Sequence, residues 1–229
     1  MTEVKCIIFD CDGVLIDSEL ISARLIIEEL AREDVVIDLP YVLSNFTGRS
    51  FTKVAGHVFD HFGVAVTDDF EARYRSSLLS AFVNELRPMA GIVEVLESLD
   101  VPCCVATSSS PARVRSSLKL TGLEKFFGDR VFTASQVRNG KPAPDLFLFA
   151  ADNMRTLFSN CLVVEDSAMG IEAARRAHMP VCRFTGGSHF GVPGMPPFDT
   201  AGVKNFDSWA VFPDMLAAMH RGRHHAEQI

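Results

Sequence analysis

Two carboxylates stand directly after an apolar run near the start of the chain. Residues 4–9 read VKCIIF, and Asp10, Asp12 and Gly13 follow in FDCDG. A short apolar run with β-branched residues indicates a strand buried on both faces, and ligands bind beyond the carboxyl ends of parallel strands. The two acids could supply a nucleophile, a proton donor or metal ligands, although Asp and Gly are also ordinary turn formers. Asp-x-Asp alone is a weak signal, so the residues at the other strand ends determine whether a chemical role or a simple turn is favoured.

Polar groups also follow the later strand-like runs. Carboxylates suit Mg²⁺, which prefers oxygen ligands, whereas hydroxyls, a helix N-terminus and a lysine suit phosphate oxygens. We place the lysine at the start of a helix. The groups are Thr107, Ser108 and Ser109 after the second strand, Lys141 after the third, and Glu165 with Asp166 after the fourth. Together with the first two acids they predict a metal site beside a phosphate site.

Hydrophobic periodicity divides the chain into two kinds of structure. Residues 17–87 are mostly amphipathic helix, whereas strand-like and helical runs alternate from residue 88 onward. This alternation predicts an α/β fold with a Rossmann-like, three-layer, doubly wound parallel sheet. We therefore expect a catalytic core of residues 1–16 and 88–229, and an inserted helical-bundle cap domain of residues 17–87.

The end of the chain gives weaker signals. Residues 180–184 are predicted to be the last full strand, and residues 186–197, rich in Gly and Pro, a loop. A closing helix is expected over 207–219. The final RGRHHAEQI is interpreted as a frayed tail, and its His224-His225 pair is too short to predict a metal site.

Composition limits the function classes. The 229 residues are 48% hydrophobic and 22% charged, as in a soluble globular protein. The net charge of −7 disfavours nucleic acid or an anionic membrane as a partner. No apolar run approaches the length of a bilayer span, and the N-terminus is unlike a signal peptide. Six cysteines without metal-ligand spacing favour reduced thiols in a cytoplasm. A monomer and a homodimer both stay open.

Four motifs in order resemble those of the haloacid dehalogenase (HAD)-like hydrolase superfamily. They are FDCDGVLIDS at 9–18, Thr107 in VATSSSP, Lys141 in KPAPDLF, and VVEDSAMGIEAA at 163–174. The resemblance covers nearly the whole chain. The helical insertion after the first motif is similar to the cap of the phosphatase and β-phosphoglucomutase-like branch.

This resemblance implies roles for the four acids. Asp10 would attack phosphorus and become an aspartyl-phosphate. Asp12 would protonate the leaving oxygen and then deprotonate the hydrolytic water. Asp10, the backbone carbonyl of Asp12 and Asp166 would hold Mg²⁺, with Glu165 binding it directly or through water.

The resemblance also implies a phosphate cradle. Thr107 and the Ser108 amide would bind phosphoryl oxygens, and the Gly13 turn would lie near the same site. Lys141 would neutralise charge on the nucleophile and the phosphate. Ser109 could reach the substrate, but a helix-capping or solvated role is equally compatible with its position.

The cap residues are open to two interpretations. Arg49, in Thr47-Gly48-Arg49, could bind a second anionic group of the substrate, or it could be a surface arginine. Glu19 could face the active site or simply be a helix-terminal acid. Lys53, Arg73 and Arg75 are interpreted as solvated helix residues.

The function expected is a Mg²⁺-dependent phosphatase of a small phosphorylated metabolite, such as a sugar phosphate. A phosphomutase is the alternative, weakened because Ser22 stands where β-phosphoglucomutase carries a histidine. Dehalogenases lack the second acid of the first motif, so Asp12 argues against dehalogenation. Phe51 stands about where phosphonoacetaldehyde hydrolase has the cap lysine that forms its Schiff base, so this activity is disfavoured. A non-catalytic interaction module is disfavoured because all the acids and Lys141 are retained.

Overall fold

Six parallel strands form one sheet at the centre of the protein. They are β1 (Cys6–Phe9), β2 (Cys103–Thr107), β3 (Val131–Thr133), β4 (Cys161–Glu165), β5 (Val181–Phe184) and β6 (Lys204–Phe206). In this computed structural model, which describes residues 3–194 and 198–221, their order is β3-β2-β1-β4-β5-β6. The direction of winding changes beside β1, and such a switch point opens a crevice at the carboxyl ends of the strands.

Helices cover both faces of the sheet. They are α5 (Ile92–Ser98), α6 (Pro111–Leu120), α7 (Glu124–Phe127), α8 (Asp145–Asn153), α9 (Ala168–Arg176) and α10 (Phe212–Arg221). Along β1, Ile7 and Phe9 pack into one buried apolar cluster, whereas Cys6 and Ile8 pack into a second. The strand is therefore buried on both faces, and the predicted three-layer α/β architecture is confirmed.

Four helices form the insertion between β1 and α5. They are α1 (Glu19–Ala31), α2 (Leu39–Asn45), α3 (Phe51–Phe62) and α4 (Asp68–Glu85). The Thr67 side chain accepts a hydrogen bond from the Phe70 amide at 3.2 Å and caps α4, and Gly63 ends α3 with a left-handed φ of 70°. Residues 17–87, all of them described, contain no strand.

The two connections between the core and the insertion run side by side. The Asp17 amide donates to the Arg87 carbonyl at 3.0 Å, and the Met89 amide donates to the Leu15 carbonyl at 2.9 Å. The boundaries proposed for the cap domain, after residue 16 and before residue 88, both lie where these two chain segments are hydrogen-bonded to each other.

The sheet has one strand more than predicted, and one predicted helix start is wrong. The strand expected over 180–184 is β5, and the edge strand β6 was not predicted because three residues carry too little pattern to be recognised. Lys141 lies in the turn before α8, which begins only at Asp145. The helix is delayed because Pro142 and Pro144 each disfavour helical geometry in the preceding residue.

The C-terminal part also differs from its prediction. Within the loop predicted over residues 186–197, Ser188–Gly191 form a 3₁₀ turn, and residues 195–197 lie outside the described residues. The closing helix is divided into a 3₁₀ turn at Trp209–Val211 and α10. The tail from residue 222, including His224 and His225, lies outside the described residues. Among the helices of the described part, none is both long and apolar enough to cross a membrane.

Candidate active site

A buried lysine lies at the centre of the polar groups at the carboxyl edge of the sheet. Lys141 Nζ donates to Asp10 Oδ1 at 2.6 Å, to Glu165 Oε1 at 2.6 Å and to the Ala106 carbonyl at 3.0 Å. Its side chain is 1% exposed. Burial alone would lower the pKa of Lys141, but the two carboxylates outweigh burial and raise it above its ordinary value. Lys141 is therefore an ammonium that bridges β1 and β4.

Three buried carboxylates share this edge. Oxygen atoms of Asp10, Glu165 and Asp166 lie within 4.8 Å of one another. Burial raises the pKa of Asp10 well above its ordinary value, against the attraction of Lys141 and together with the charge of Glu165. Burial and Glu165 do the same to the pKa of Asp166. One ammonium does not balance three carboxylates, so the site has an excess of negative charge that a divalent cation fits.

One carboxylate oxygen of Asp166 has no hydrogen-bond partner among the described residues. This oxygen, Oδ2, is buried. His189 Nε2 lies 3.2 Å from this oxygen, in the 3₁₀ turn after β5, but without hydrogen-bond geometry. Burial lowers the pKa of His189, which favours its neutral form. Sequence reasoning missed His189, since a histidine in a loop rich in Gly carries no spacing signal.

Gly13 lets the backbone approach Asp166. Its φ is +79°, and a Cβ atom at this position would overlap Asp166 Oδ2. Glycine is therefore required both by conformation and by space. This places the turn after β1 against the candidate metal site.

Glu165 is held rigidly in place. Its Oε2 accepts from the Asp166 amide, the Ser167 amide and Ser167 Oγ, each at 2.9 Å. Ser167 caps α9 by accepting from the Gly170 amide at 3.1 Å. A Cβ at Gly170 would overlap the Glu165 carboxylate. Only Oε1 of Glu165 therefore faces Lys141 and the other acids.

Asp12 has a separate environment from the three clustered acids. It accepts from Ser18 Oγ, Ser109 Oγ and Arg113 Nη2, each at 2.6 Å. Burial would raise the pKa of Asp12, but Arg113 and the two hydroxyls outweigh burial and hold it below its ordinary value. In this arrangement Asp12 is an ionised carboxylate.

Arg113 is a site residue that the sequence analysis did not identify. It lies in the first turn of α6, and its Nη2 also donates to Ser22 Oγ on the cap helix α1 at 2.9 Å. Its guanidinium stands 5.5 Å from the Phe82 ring of α4. Arg113 follows Ser109 by one helical turn, and this spacing could have indicated that it lies at the same edge of the sheet as the hydroxyl residues.

The three hydroxyl residues after β2 have different partners. Thr107 is buried, and its Oγ1 accepts from the Ser109 amide at 3.0 Å. Ser108 Oγ donates to the Gly48 carbonyl of the cap at 3.0 Å. Ser109 bonds to Asp12, and the N-cap of α6 is instead Ser110. The helix-capping interpretation of Ser109 is therefore wrong.

A cavity of about 160 Å³ lies between these groups and the cap. Asp10, Asp12 and the three hydroxyl residues line its core side. Cap residues at the cavity include Thr47, Glu19 and Arg49, together with apolar side chains. Thr47 Oγ1 is buried without a hydrogen-bond partner among the described residues. Burial, with the charges of Asp12 and Asp166, raises the pKa of Glu19 to about 8.

The structure thus brings nearly all the predicted site residues to one edge. They are Asp10, Asp12, Gly13, Thr107, Ser108, Ser109, Lys141, Glu165 and Asp166, with Arg49 in the cavity wall of the cap. The family model of haloacid dehalogenase-like hydrolases matches residues 4–178. The chain belongs to this family.

Relatives of this hydrolase include two phosphatases from Escherichia coli (strain K12). A 6-phosphogluconate phosphatase is 27% identical over 190 residues, which cover 82% of this chain and 86% of the relative. A fructose-1-phosphate phosphatase is 30% identical over 176 residues, which cover 76% and 92%. A crystal structure of a HAD family hydrolase from Deinococcus radiodurans, with bound phosphate and sodium, has a TM-score of 0.71 and 28% identity. That match covers 95% of this chain and 97% of the other.

Two cations of the hydrolase's cap contact the core, although Lys53 is exposed and 39% of the Arg75 side chain is exposed, as the interpretation of both as solvated expects. Lys53 Nζ donates to the carbonyls of Lys141 and Gly140. Arg75 Nη1 donates to Ser110 Oγ at 2.8 Å. A sequence alone gives no sign of these contacts, because they depend on how the cap is seated.

Proposed function

We propose that this hydrolase is a Mg²⁺-dependent phosphatase that hydrolyses a small phosphorylated metabolite, in particular a sugar phosphate, through an aspartyl-phosphate. The observation that carries the proposal is the excess of buried carboxylate around Lys141, with Asp10 at the floor of a cavity. Two relatives are named as phosphatases of sugar phosphates or of a sugar-acid phosphate, which supports this substrate class.

Asp10 is the proposed nucleophile. Its Oδ1 is held by Lys141, which favours the ionised form needed for attack. An oxygen of Asp10 forms the new bond to phosphorus as the bond between phosphorus and the ester oxygen breaks. The excess negative charge and the Asp166 Oδ2 atom, which has no hydrogen-bond partner among the described residues, both suit Mg²⁺. Asp10, Asp166 and the Asp12 backbone carbonyl would bind the ion, and Glu165 would lie adjacent to it. When bound, Mg²⁺ would screen the nucleophile from the phosphate and stabilise developing charge.

Asp12 is the proposed proton donor and acceptor. It must be protonated to give a proton to the leaving oxygen, and ionised to take one from the water that hydrolyses the aspartyl-phosphate. Hydrogen bonds from Ser18, Ser109 and Arg113 hold it in the ionised form in this structure. These contacts must yield before Asp12 can serve as the acid of the first step.

Phosphoryl oxygens are proposed to bind between β1 and β2. Thr107, Ser108 and Asp10 all line the cavity, so the Thr107 hydroxyl and the Ser108 amide are the proposed donors, and Lys141, bonded to Asp10, supplies positive charge. On the cap side, Arg49 is proposed to bind a further anionic or polar group of the substrate. The unpartnered Thr47 hydroxyl is a second group available to it.

Phosphate hydrolysis is favoured over phosphomutase chemistry. Ser22, at the position where β-phosphoglucomutase has histidine, accepts from Arg113 and donates to the Ser18 carbonyl at 2.9 Å. It is thus committed to the support of Asp12 and has no titratable group of its own.

We also propose that the enzyme acts in the cytoplasm, without a nucleic-acid or membrane partner. All six cysteines are free and buried, which fits a reducing compartment. The net charge of −7 is unsuited to polyanions.

A phosphate-release screen tests the proposal. Wild-type protein with Mg²⁺ should release phosphate from at least one sugar phosphate, and Asp10→Asn should lower turnover by about a thousandfold or more. Product analysis for isomerised sugar phosphate separates a mutase from a phosphatase. Hydrolysis by Asp10→Asn at near the wild-type rate would contradict the role given to Asp10.

A further inference from the structure

A single lysine of the cap meets the turn that carries Lys141. Lys53 lies in the first turn of α3, and its Nζ donates to the Lys141 carbonyl at 2.6 Å and to the Gly140 carbonyl at 3.2 Å. No other lysine occurs in residues 17–87. The contact spans 88 residues of sequence and joins the cap to the core.

Lys141 is therefore held at both ends. Its ammonium is fixed by Asp10, Glu165 and the Ala106 carbonyl, whereas its own carbonyl is fixed by Lys53. The Gly140 carbonyl also accepts from the Ala143 amide at 3.2 Å, which closes the turn before α8. Lys53 thus supports the stretch of backbone on which the buried ammonium is carried.

The surroundings of Lys53 indicate that this contact is its main role. The cavity wall is formed by other described residues, so Lys53 does not face the space that a substrate would fill. Burial, with the like charge of nearby Arg49, lowers the pKa of Lys53. An ammonium beside another cation needs acceptors, and the two carbonyls supply them.

We propose that Lys53 is a positioning residue that couples the seating of the cap to the placement of Lys141. The inference rests on the role proposed above for Lys141. With the cap seated, Lys53 fixes the turn and keeps the ammonium on Asp10. With the cap displaced, two carbonyls lose their donor and the turn loosens, so catalysis is restricted to the closed arrangement.

Kinetics of three variants test the coupling. With p-nitrophenyl phosphate and Mg²⁺, Lys53→Met should lower kcat about five- to twentyfold and change KM less than about twofold, because the ammonium of Lys141 is misplaced in the reacting complex. Lys53→Arg, which keeps a donor, should recover most of kcat. Lys119→Met removes an exposed lysine of α6 and is the matched control.

Amide hydrogen exchange supplies a readout that does not depend on activity. In Lys53→Met the Ala143 amide should exchange about tenfold faster or more, while amides of β4 and α9 keep the wild-type rates. Both the fall in kcat and the local change in exchange are required. Unchanged Ala143 exchange, faster exchange throughout the protein, or an effect on KM alone would each overturn the proposal. If wild-type protein hydrolyses no ester, the proposed function fails, whereas the exchange comparison still tests the contact.

Discussion

The guanidinium of Arg113 and the carboxylate of Asp12 are joined by a 2.6 Å hydrogen bond, with 20% and 13% of the two side chains exposed. The same guanidinium bonds to Ser22 of the cap. A core helix therefore contacts both the proposed acid–base residue and the domain that covers it. Because the pair is largely shielded, its charge–charge interaction is screened less than that of a surface pair.

Replacement of Arg113 should alter how Asp12 titrates. Arg113→Met removes a positive charge that lowers the pKa of Asp12, so this pKa rises and the corresponding limb of the pH profile of kcat/KM moves to higher pH. Although the higher pKa favours the acid form of Asp12, we expect kcat to fall about ten- to a hundredfold, because Arg113 also orients the Asp12 carboxylate. Arg115→Met, an exposed change on the same helix, should leave the profile unchanged. A limb that stays in place in Arg113→Met would remove Arg113 from the acid–base apparatus.

Gly13 and Gly56 form a matched pair for the role of the close turn. Gly13→Ala places a Cβ on Asp166 Oδ2 at a positive φ, so it should cost about 2 kcal/mol or more of unfolding free energy and abolish turnover. Gly56→Ala lies in a helix with open space around it and should stabilise by about 0.5–1 kcal/mol. Denaturant titrations measure both. Gly13→Ala with wild-type stability would mean that Asp166 lies elsewhere.

Mg²⁺ should stabilise the protein more at high pH. The pKa values of Asp10 and Asp166 are raised in the metal-free protein, so the stability that they contribute is complete below about pH 3.8 and is lost as pH rises through the folded-state values. Bound Mg²⁺ favours the ionised forms and offsets this loss. The rise in Tm on addition of Mg²⁺ should therefore be larger at about pH 8 than at about pH 5, and thermal unfolding at these two pH values measures the difference.

Asp166→Asn should remove most of this Mg²⁺ effect on Tm. Asp152→Asn, an exposed acid of α8, is the control and should keep it. Chelation should abolish turnover of the wild type and leave its secondary structure intact, as seen by circular dichroism. An Asp166→Asn variant with the full Mg²⁺ shift would place the metal outside the proposed ligands.

Glu19 should contribute a pH-dependent part of the stability. Its pKa is raised from 4.5 to about 8, so the protonated form is favoured in the folded state. The stability that it contributes is complete below pH 4.5 and is lost as pH rises through about 8. Glu19→Gln mimics the protonated form, and its unfolding free energy should fall less between these limits than that of the wild type.

The control for Glu19 is Glu28→Gln, an exposed change on the same helix. It should follow the wild-type dependence on pH, measured by denaturant titration at fixed ionic strength. Equal slopes for Glu19→Gln and the wild type would show that Glu19 is ionised throughout this range.

Residues at strand ends were predictable from the sequence. Asp10 and Asp166 follow buried apolar runs, and the topology of a doubly wound sheet brings such ends to one edge. Lys141 was identified by its motif although its helix begins four residues later than expected. In these cases the short-range pattern and the sheet topology together determine the position of the side chain.

Residues placed by helix faces or by domain contacts were not predictable. Arg113 has the local sequence of a solvent-facing arginine, and Lys53 that of a surface lysine, because their partners come from a separate part of the chain. His189 reaches Asp166 only through the path of the segment after β5. Such contacts depend on how separate elements pack, which no pattern in one stretch of sequence records.

The chain enters the cap at Asp17 and leaves it at Arg87, and these two positions are hydrogen-bonded to each other, so the cap could be exchanged as one unit. Since the two ends of the insertion are within hydrogen-bond distance, residues 17–87 are topologically one long loop between β1 and α5. A helical insertion from a relative with the same crossings could replace it without altering the strand order of the sheet. We expect such a chimaera to keep Asp10, Lys141 and Asp166 and to take its substrate preference from the donor when the donor cap supplies partners equivalent to Ser22 and Lys53.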